Sequence, residues 1–311
     1  MIQRISRGAD AARGRGRARR RVNRAAFGYL FIAPFFVVFA IFQLYPILYS
    51  LYLSFAHWDG FSDPAFVGWA NYRRLLADSF FYKSITNTLF IWIVSIVPEL
   101  LLALTLALVL NEKWVRGKHF FRAIFYFPNI VTPVTIGVLF SLLFDWQTGA
   151  VNRVMMALHI VDHPVDWLGS PLLSQVLVSA VLAWQWFGYN MLLYTAGLQS
   201  IPDEVLEAAR TDGATAVQAA LRITIPLLRP VIIFTLITSI IGGMQIFDVP
   251  LMITRNGPGP DNATLTIVMY LYNTAFKQSD YSYAATIAYA AFVLIAVLSF
   301  ATFRLTRTKP D

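Results

Sequence analysis

Aromatic and amide side chains are concentrated in one apolar stretch near the middle of the chain. Trp184, Gln185 and Trp186 are followed closely by Tyr189 and Asn190. Aromatic rings can cover the apolar face of a sugar ring, while amides satisfy its hydroxyl groups. The stretch therefore predicts a site for a polyhydroxylated ligand. The alternative is that these aromatic side chains only pack or anchor a helix.

A second polar stretch lies further along the chain, where Gly242 and Gly243 are followed by Gln245 and Asp248. Paired glycines permit close helix approach, and polar residues beside them are typical of a kinked, cavity-lining segment. A carboxylate is costly inside a membrane, so Asp248 is expected near the outer end or beside water. We add Gln245 and Asp248 to the candidate ligand path.

Enzymatic and ion-coupled chemistry find little support in the remaining residues. The chain has no Cys and only four His, so thiolate sites and an obvious metal centre are not expected. Gly117-Lys118 is followed by His119, which does not complete a phosphate-binding loop. Glu99 could face a polar cavity or bond to a neighbouring helix, and a single acid is too little for a proton relay. These residues therefore give only weak support to two classes of protein, a membrane-embedded enzyme and an ion-coupled secondary transporter.

The segment 199–226 is polar although apolar stretches flank it, and it predicts two short helices. Ser200 and Asp203 have the spacing of a capping box, and good helix formers follow. Gly213 supplies a left-handed stop, after which a second helix reaches Pro226. Neither helix is long enough to cross a bilayer. Their alanines permit close approach, so we predict that the segment docks on another surface.

The composition indicates what must position these residues. Hydrophobic residues form 57% of the 311 residues and charged residues only 14%, against about 25% charged in a typical globular domain. We therefore predict a polytopic all-α membrane protein whose six-helix transmembrane domain spans residues 27–305. The six predicted transmembrane helices are Phe27–Leu51, Ile85–Leu110, Ala123–Phe144, Leu173–Leu198, Pro230–Phe247 and Ala284–Phe303.

The basic residues predict the orientation of these helices. If the Arg-rich tail 1–26 is cytoplasmic, nineteen of the 25 Lys and Arg fall on the cytoplasmic side, with six outside and none in a predicted helix. This bias predicts a bacterial-type cytoplasmic membrane protein with both termini, including the tail 306–311, on the cytoplasmic side. The net charge of +8 thus reports topology and lipid contact, and no nucleic-acid partner is expected.

The docking segment resembles the EAA loop of importers in the ATP-binding-cassette superfamily. The spacing of its Glu-Ala-Ala, Gly, Ile and Pro residues matches that pattern, with Ile225 where Leu is commonest. By resemblance, this helix inserts into a cleft of a separate ATPase subunit, where Glu207 accepts charge-assisted hydrogen bonds and the alanines pack closely. The coupling residues implied in this way are Glu207, Ala208, Ala209, Asp212, Gly213, Ile223 and Pro226.

The resemblance to carbohydrate-type permeases extends over nearly the whole chain. Segments 66–73, 120–128 and 257–264 are each similar to segments of that group. It implies a type I importer transmembrane domain that pairs with a homologous second permease. It also implies two ATPase subunits that bind ATP and Mg, and an extracytoplasmic solute-binding protein. No cofactor or metal is expected in this chain.

The solute itself is left open by these patterns. Oligosaccharide permeases and glycerol-phosphate or polyol permeases share the same motifs. The candidate path residues are aromatic and amide in character, whereas a phosphate ester would favour Arg or Lys. An oligosaccharide is therefore the preferred hypothesis.

Overall fold

The computed structural model describes residues 27–112 and 114–306, so the tail 1–26, Lys113 and residues 307–311 lie outside the described residues. The helices are α1 (Phe27–Ser54), α2 (Ala70–Leu76), α3 (Ser79–Asn111), α4 (Lys118–Ile130), α5 (Pro133–Leu143), α6 (Ala150–Ala157), α7 (Pro171–Leu198), α8 (Asp203–Thr211), α9 (Ala216–Leu227), α10 (Arg229–Gly243), α11 (Asp248–Ile253), α12 (Ile267–Tyr272) and α13 (Tyr281–Thr306). A small antiparallel hairpin, β1 (Ala56–His57) with β2 (Ala65–Phe66), follows α1.

Four helices are long and apolar enough to cross a membrane by themselves: α1, α3, α7 and α13. Two bent pairs, α4 with α5 and α9 with α10, pass the same test only when each pair is taken together. Counting each pair once gives six spans in the described part of the chain. The predicted all-α polytopic fold is confirmed, although the third and fifth spans are not single straight helices.

The third span, predicted as one helix over Ala123–Phe144, is broken at Val131 by a bend of 90°. Pro133 begins α5, and a residue before proline is disfavoured in the helical conformation. Thr132 accordingly has ψ 140° and caps α5 through its side chain, which accepts from the Thr135 amide. A proline signal within the sequence therefore overrode the continuous apolar pattern.

The apolar helix of the fifth span, α10, is shorter than predicted. It begins at Arg229 after a 66° bend from α9 and ends at Gly243 rather than Phe247. The chain then leaves the helix and restarts at Asp248, which is exposed at the first position of α11. The glycine pair thus ends α10 instead of kinking a continuous helix.

The core is built around α7, whose most extensive packing is against α3. Small residues allow this: Ala103 and Ala107 of α3 are fully buried beside Met191 and Tyr194 of α7. At Gly188 a side chain would collide with the backbone of Phe125, so this glycine is required for the close approach of α4 to α7.

Amide side chains join α3 and α7 to the segment that precedes α12. Asn87 of α3 donates through Nδ2 to the carbonyls of Asn262 (2.7 Å) and Leu265 (3.1 Å). Gln175 of α7 donates to the Ala263 carbonyl at 2.8 Å and to Asn87 Oδ1 at 3.1 Å. Buried amides of this kind satisfy loop carbonyls that water cannot reach, and they hold the loop in one position.

Candidate functional site

A cavity of about 240 Å³ lies between α3, α7 and α10. Each helix contributes residues spaced three or four apart, which is the spacing of one helical face. Its aromatic wall comes from Trp92, Trp186 and Tyr189. Its polar and small lining residues are Ser95, Glu99, Asn190, Thr235, Thr238, Ser239, Gly242 and Gly243, and its aliphatic lining residues are Leu182 and Ile246.

Glu99 and Asn190 meet across the boundary between α3 and α7. Asn190 Nδ2 donates to Glu99 Oε1 at 2.5 Å, and both side chains are buried. Glu99 therefore lines the cavity and also bonds to the neighbouring helix, which were the two alternatives considered for it from the sequence. The described lining residues include no Lys, Arg or His, so the cavity presents an acid, an amide and hydroxyl groups.

Three of the seven predicted path residues, Trp186, Tyr189 and Asn190, line this cavity. Trp184 instead packs against Phe140 of α5, with ring centroids 5.3 Å apart. Gln185 is buried away from the cavity, and its Oε1 has no hydrogen-bond partner among the described residues.

Gln245 and Asp248 are exposed after the end of α10 and do not line the cavity either. Asp248 thus lies away from the apolar interior, as its charge requires.

The polar face of α10 was missed by the sequence reasoning. Thr235, Thr238, Ser239 and Gly242 recur at helical spacing within an otherwise apolar span. Such a stripe is the signal of a helix face that does not contact lipid. Trp92, Ser95 and Glu99 form an equivalent stripe on α3.

The docking segment folds as two short helices, α8 and α9, joined at a left-handed glycine. Gly213 has φ +81°, and an added Cβ would meet no heavy atom within 4 Å. The capping box of the segment forms at Thr215 and Gln218, which bond reciprocally at 3.3 and 2.9 Å. This box caps the second helix, α9. Before the first helix, the hydroxyl of Ser200 donates to the Gly197 carbonyl at 2.7 Å at the end of α7.

The two faces of α8 are different. Ala209 is buried, and Leu206 packs against the cluster formed by the C-terminal halves of α3 and α7. Glu207, Ala208 and Asp212 are exposed. The close packing that Ala209 allows therefore occurs within this chain, whereas Ala208 is available to an external surface.

The second half of the docking segment is less exposed at Ile223 than at Pro226. Ile223 is half-buried in the π-helical turn of α9, and Pro226 is exposed. The predicted coupling residues thus lie on one continuous segment whose exposed members are Glu207, Ala208, Asp212, Gly213 and Pro226.

Carboxylates organise two clusters of loop residues away from α8 and α9. Asp145 accepts from the backbone amide (3.0 Å) and hydroxyl (2.9 Å) of Thr148 and pairs with Arg255 at 2.6 Å. The Thr148 hydrogen bonds and Arg255 lower the pKa of Asp145 to about 2, so this carboxylate is ionised at neutral pH. In the described residues no group of three His, Asp or Glu side chains is placed to bind a metal ion.

Asp78 forms the centre of a second cluster, which includes Tyr270, Tyr283 and Arg74. Its carboxylate caps α3 by accepting from the Phe80 amide at 2.9 Å, and it accepts the hydroxyl hydrogens of Tyr270 and Tyr283. Burial alone would raise the pKa of Asp78, but the hydrogen bonds from both tyrosines and from the helix amides outweigh it and lower the pKa. Arg74 lies over the Tyr283 ring at 3.8 Å.

These features define a polytopic helical membrane protein with a polar cavity among its spans and two short helices, α8 and α9, between α7 and α10. Residues 75–308 match the family model of the binding-protein-dependent transport system inner membrane component. The chain belongs to this family, which consists of multi-pass inner-membrane transport proteins rather than enzymes, and whose transport systems depend on a binding protein.

Several characterised relatives align along nearly their whole length. The lactose transport system permease protein LacF of Rhizobium radiobacter is 38% identical, with 91% of this chain and 94% of LacF covered. The arabinooligosaccharides transport system permease protein AraP of Bacillus subtilis is 32% identical, covering 91% and 89%. The trehalose/maltose transport system permease protein MalF of Thermococcus litoralis is 31% identical, covering 92% and 96%.

The fold matches a solved structure as well. A chain of a bacterial ABC transporter involved in the import of the acidic polysaccharide alginate superposes with a TM-score of 0.81, covering 94% of this chain and 98% of that chain. The two sequences are 23% identical, so this likeness concerns the fold.

Proposed function

We propose that this chain is one transmembrane subunit of an ATP-driven importer of neutral oligosaccharides and forms half of the translocation path. The observation that carries the proposal is the cavity between α3, α7 and α10, where indole and phenol rings stand beside Asn190 and four hydroxyl side chains. Rings that cover the apolar face of a sugar, together with groups that bond its hydroxyls, are the combination that such a ligand requires.

A neutral solute is favoured by the charge of the cavity. Glu99 is the ionisable residue in its described wall, and no cation there compensates an incoming anion. A phosphate ester or uronic acid would be expected to find Arg or Lys along its path. The relatives named for lactose, arabinooligosaccharides and trehalose or maltose support the sugar class, whereas the alginate importer shares only the fold.

The proposed coupling uses the exposed face of α8. Glu207 would accept hydrogen bonds in a cleft of the ATPase subunit, with Ala208 allowing close contact, while Leu206 and Ala209 transmit displacement to α3 and α7. Closure of the ATPases around ATP and Mg would then be converted into movement of the cavity walls. Binding energy shifts such an equilibrium only through contacts that differ between the two states.

The assembly we propose contains this chain, a homologous second permease, two ATPase subunits and an extracytoplasmic binding protein. Both termini are cytoplasmic in this arrangement, which also places α8 beside the ATPases. No metal or nucleotide is assigned to this chain.

The experiment that tests coupling is Glu207→Ala in the assembled complex, with Glu204→Ala as the matched control. Glu204 is exposed one turn earlier on the same helix. We expect E207A to lower sugar-stimulated ATP hydrolysis by about tenfold or more, since hydrogen bonds to charged groups contribute roughly 1.5–3 kcal/mol. E204A should remain near wild type. Undiminished coupling in an E207A complex that assembles would contradict the assignment.

An ion-coupled secondary transporter is the alternative class, and it has a distinct signature. Uptake into proteoliposomes that contain the chain without ATPase subunits, driven by a proton or sodium gradient, would favour it. Dependence of uptake on internal ATP and on the binding protein would favour the importer.

A further inference from the structure

One wall of the cavity lacks a side chain at Gly242. This residue is in helical conformation near the end of α10, and it lies in the cavity-facing stripe with Thr235, Thr238 and Ser239. A Cβ added at Gly242 would meet no heavy atom within 4 Å. The described residues therefore do not require glycine here, and a side chain at this exposed, cavity-lining position would extend into open space beside the cavity.

The neighbouring Gly243 shows the opposite situation. A Cβ at Gly243 would collide with the indole ring of Trp92. That ring is held in place by its Nε1, which donates to Ser239 Oγ at 3.1 Å. Gly243 is explained by helix packing, whereas Gly242 is not, although the two residues are adjacent.

The size of the cavity makes the difference relevant to a ligand. Its volume of about 240 Å³ is just below the roughly 300–1,000 Å³ of most small-molecule sites. A leucine side chain at Gly242 would remove a substantial part of that space. The substitution is otherwise favourable to the helix, because leucine has a higher helix propensity than glycine.

We propose that Gly242 determines which oligosaccharides pass, because its missing side chain sets the length of sugar that the cavity admits. The inference rests on the proposed function and assigns to Gly242 a specificity role that goes beyond the aromatic and amide residues of the path. Trp186 and Tyr189 select a sugar by its chemistry, and Gly242 limits it by size.

The test is ATP-dependent uptake by complexes of this chain with its partner permease, ATPases and binding protein in proteoliposomes. The probes are labelled lactose, maltose, and arabino- and malto-oligosaccharides of two to four units, restricted to those that the binding protein binds. Gly242→Ala and Gly242→Leu are compared with Gly28→Leu, a control in α1 whose added side chain also meets no neighbour. Gly243→Ala reports the effect of disturbed packing.

We expect G242L to lower uptake of the longest transported sugar relative to the shortest by about tenfold, which corresponds to about 1.4 kcal/mol, because its side chain would remove space that the longer sugar needs. G242A should show a smaller change in the same direction, and G28L should leave the ratio unchanged. G243A should lower uptake of all lengths together.

Three results would overturn the inference: a G242L ratio equal to wild type, an equal loss at every length, or failure of both Gly242 variants to assemble. The last result would mean that the partner permease packs on this position. Absence of uptake of every probe by the wild-type complex would instead count against the proposed function itself.

Discussion

The hydrogen bond between Glu99 and Asn190 joins α3 to α7 inside the apolar part of the molecule. A buried polar group that loses its partner costs roughly 1–3 kcal/mol. Glu99→Leu leaves the Asn190 amide without this acceptor, whereas Glu99→Gln keeps an acceptor oxygen of similar reach. We expect E99L to lower the thermal unfolding midpoint of the purified complex and E99Q to stay close to wild type. Equal midpoints for all three proteins would show that the bond contributes nothing.

Asp78 permits a prediction about pH as well as stability. Its folded pKa is lowered, so its contribution is fully present above the unfolded value of about 4 and is lost as pH falls through the folded pKa. Between pH 5.5 and 8 the contribution should therefore be constant.

Asp78→Asn keeps a good helix cap but gives the two tyrosine hydroxyls a poorer acceptor. We expect D78N to lower the unfolding midpoint by the same few degrees at pH 5.5 and pH 8. Tyr270→Phe, which removes one of the donors, should give a smaller decrease. A D78N effect that changes markedly between these two pH values would contradict this account.

For single residues, the sequence predicted the chemical character of the site correctly but not all of the residues that line the cavity. Trp186, Tyr189 and Asn190 were recognised because aromatic and amide residues are conspicuous in an apolar span, and they line the cavity. Trp184 and Gln185 could not be separated from them, since each residue along a helix turns by about 100° and only packing decides which face is inward. Thr235, Thr238 and Ser239 were missed because small hydroxyl residues attract little notice among aliphatic ones.

At the scale of elements, the link between α8 and α9 depends on a left-handed residue. Alanine in this conformation costs roughly 1–2 kcal/mol, and Gly213 has open space around it, so Gly213→Ala introduces strain without a clash. Gly117→Ala is a matched control in the other predicted inner loop, with φ +72° and equally open surroundings.

We expect G213A to lower sugar-stimulated ATP hydrolysis several-fold while G117A has little effect, because only the first alters the link between the two docking helices. Both rates are measured in complexes reconstituted with ATPases and binding protein. An equal decrease in both variants would indicate a general effect of strained inner loops rather than a role in coupling.

Elements were predictable where sequence signals agreed and not where they competed. The docking segment was predicted because its polarity, its glycine and its alanines all indicate short helices. The prediction of one continuous helix for the third span was wrong. The apolar run 123–144 was given more weight than Pro133, where one helix has ended and another begins at an angle of 90°. Lys83, placed outside the second span, lies within the first turns of α3, since an N-terminal extension of that helix is capped by Asp78.

For the whole molecule, the distribution of basic residues predicts that the loop after α3 is cytoplasmic and the loop after α1 is not. The chain contains no cysteine, so single cysteines can be introduced without removing others. Phe61 is 97% exposed and Trp114 is 73% exposed. We expect a membrane-impermeant maleimide to label Phe61→Cys in intact spheroplasts and Trp114→Cys only in inverted vesicles. The reverse pattern would contradict the predicted orientation.

The position of α1 has a consequence for biosynthesis. Its main packing within the chain is against α13, through contacts such as the Tyr289 hydroxyl that donates to the Ile47 carbonyl at 2.5 Å and the Thr286 hydroxyl that donates to the Ser54 carbonyl at 3.1 Å. These contacts join residues more than 230 positions apart. α1 therefore cannot form these contacts until α13 is made, while α3 and α7 can already pair. A nascent chain stalled before residue 281 would thus hold α1 without its contacts to α13, while Asn71 Nδ2 could still donate to the Ser54 carbonyl at 3.1 Å.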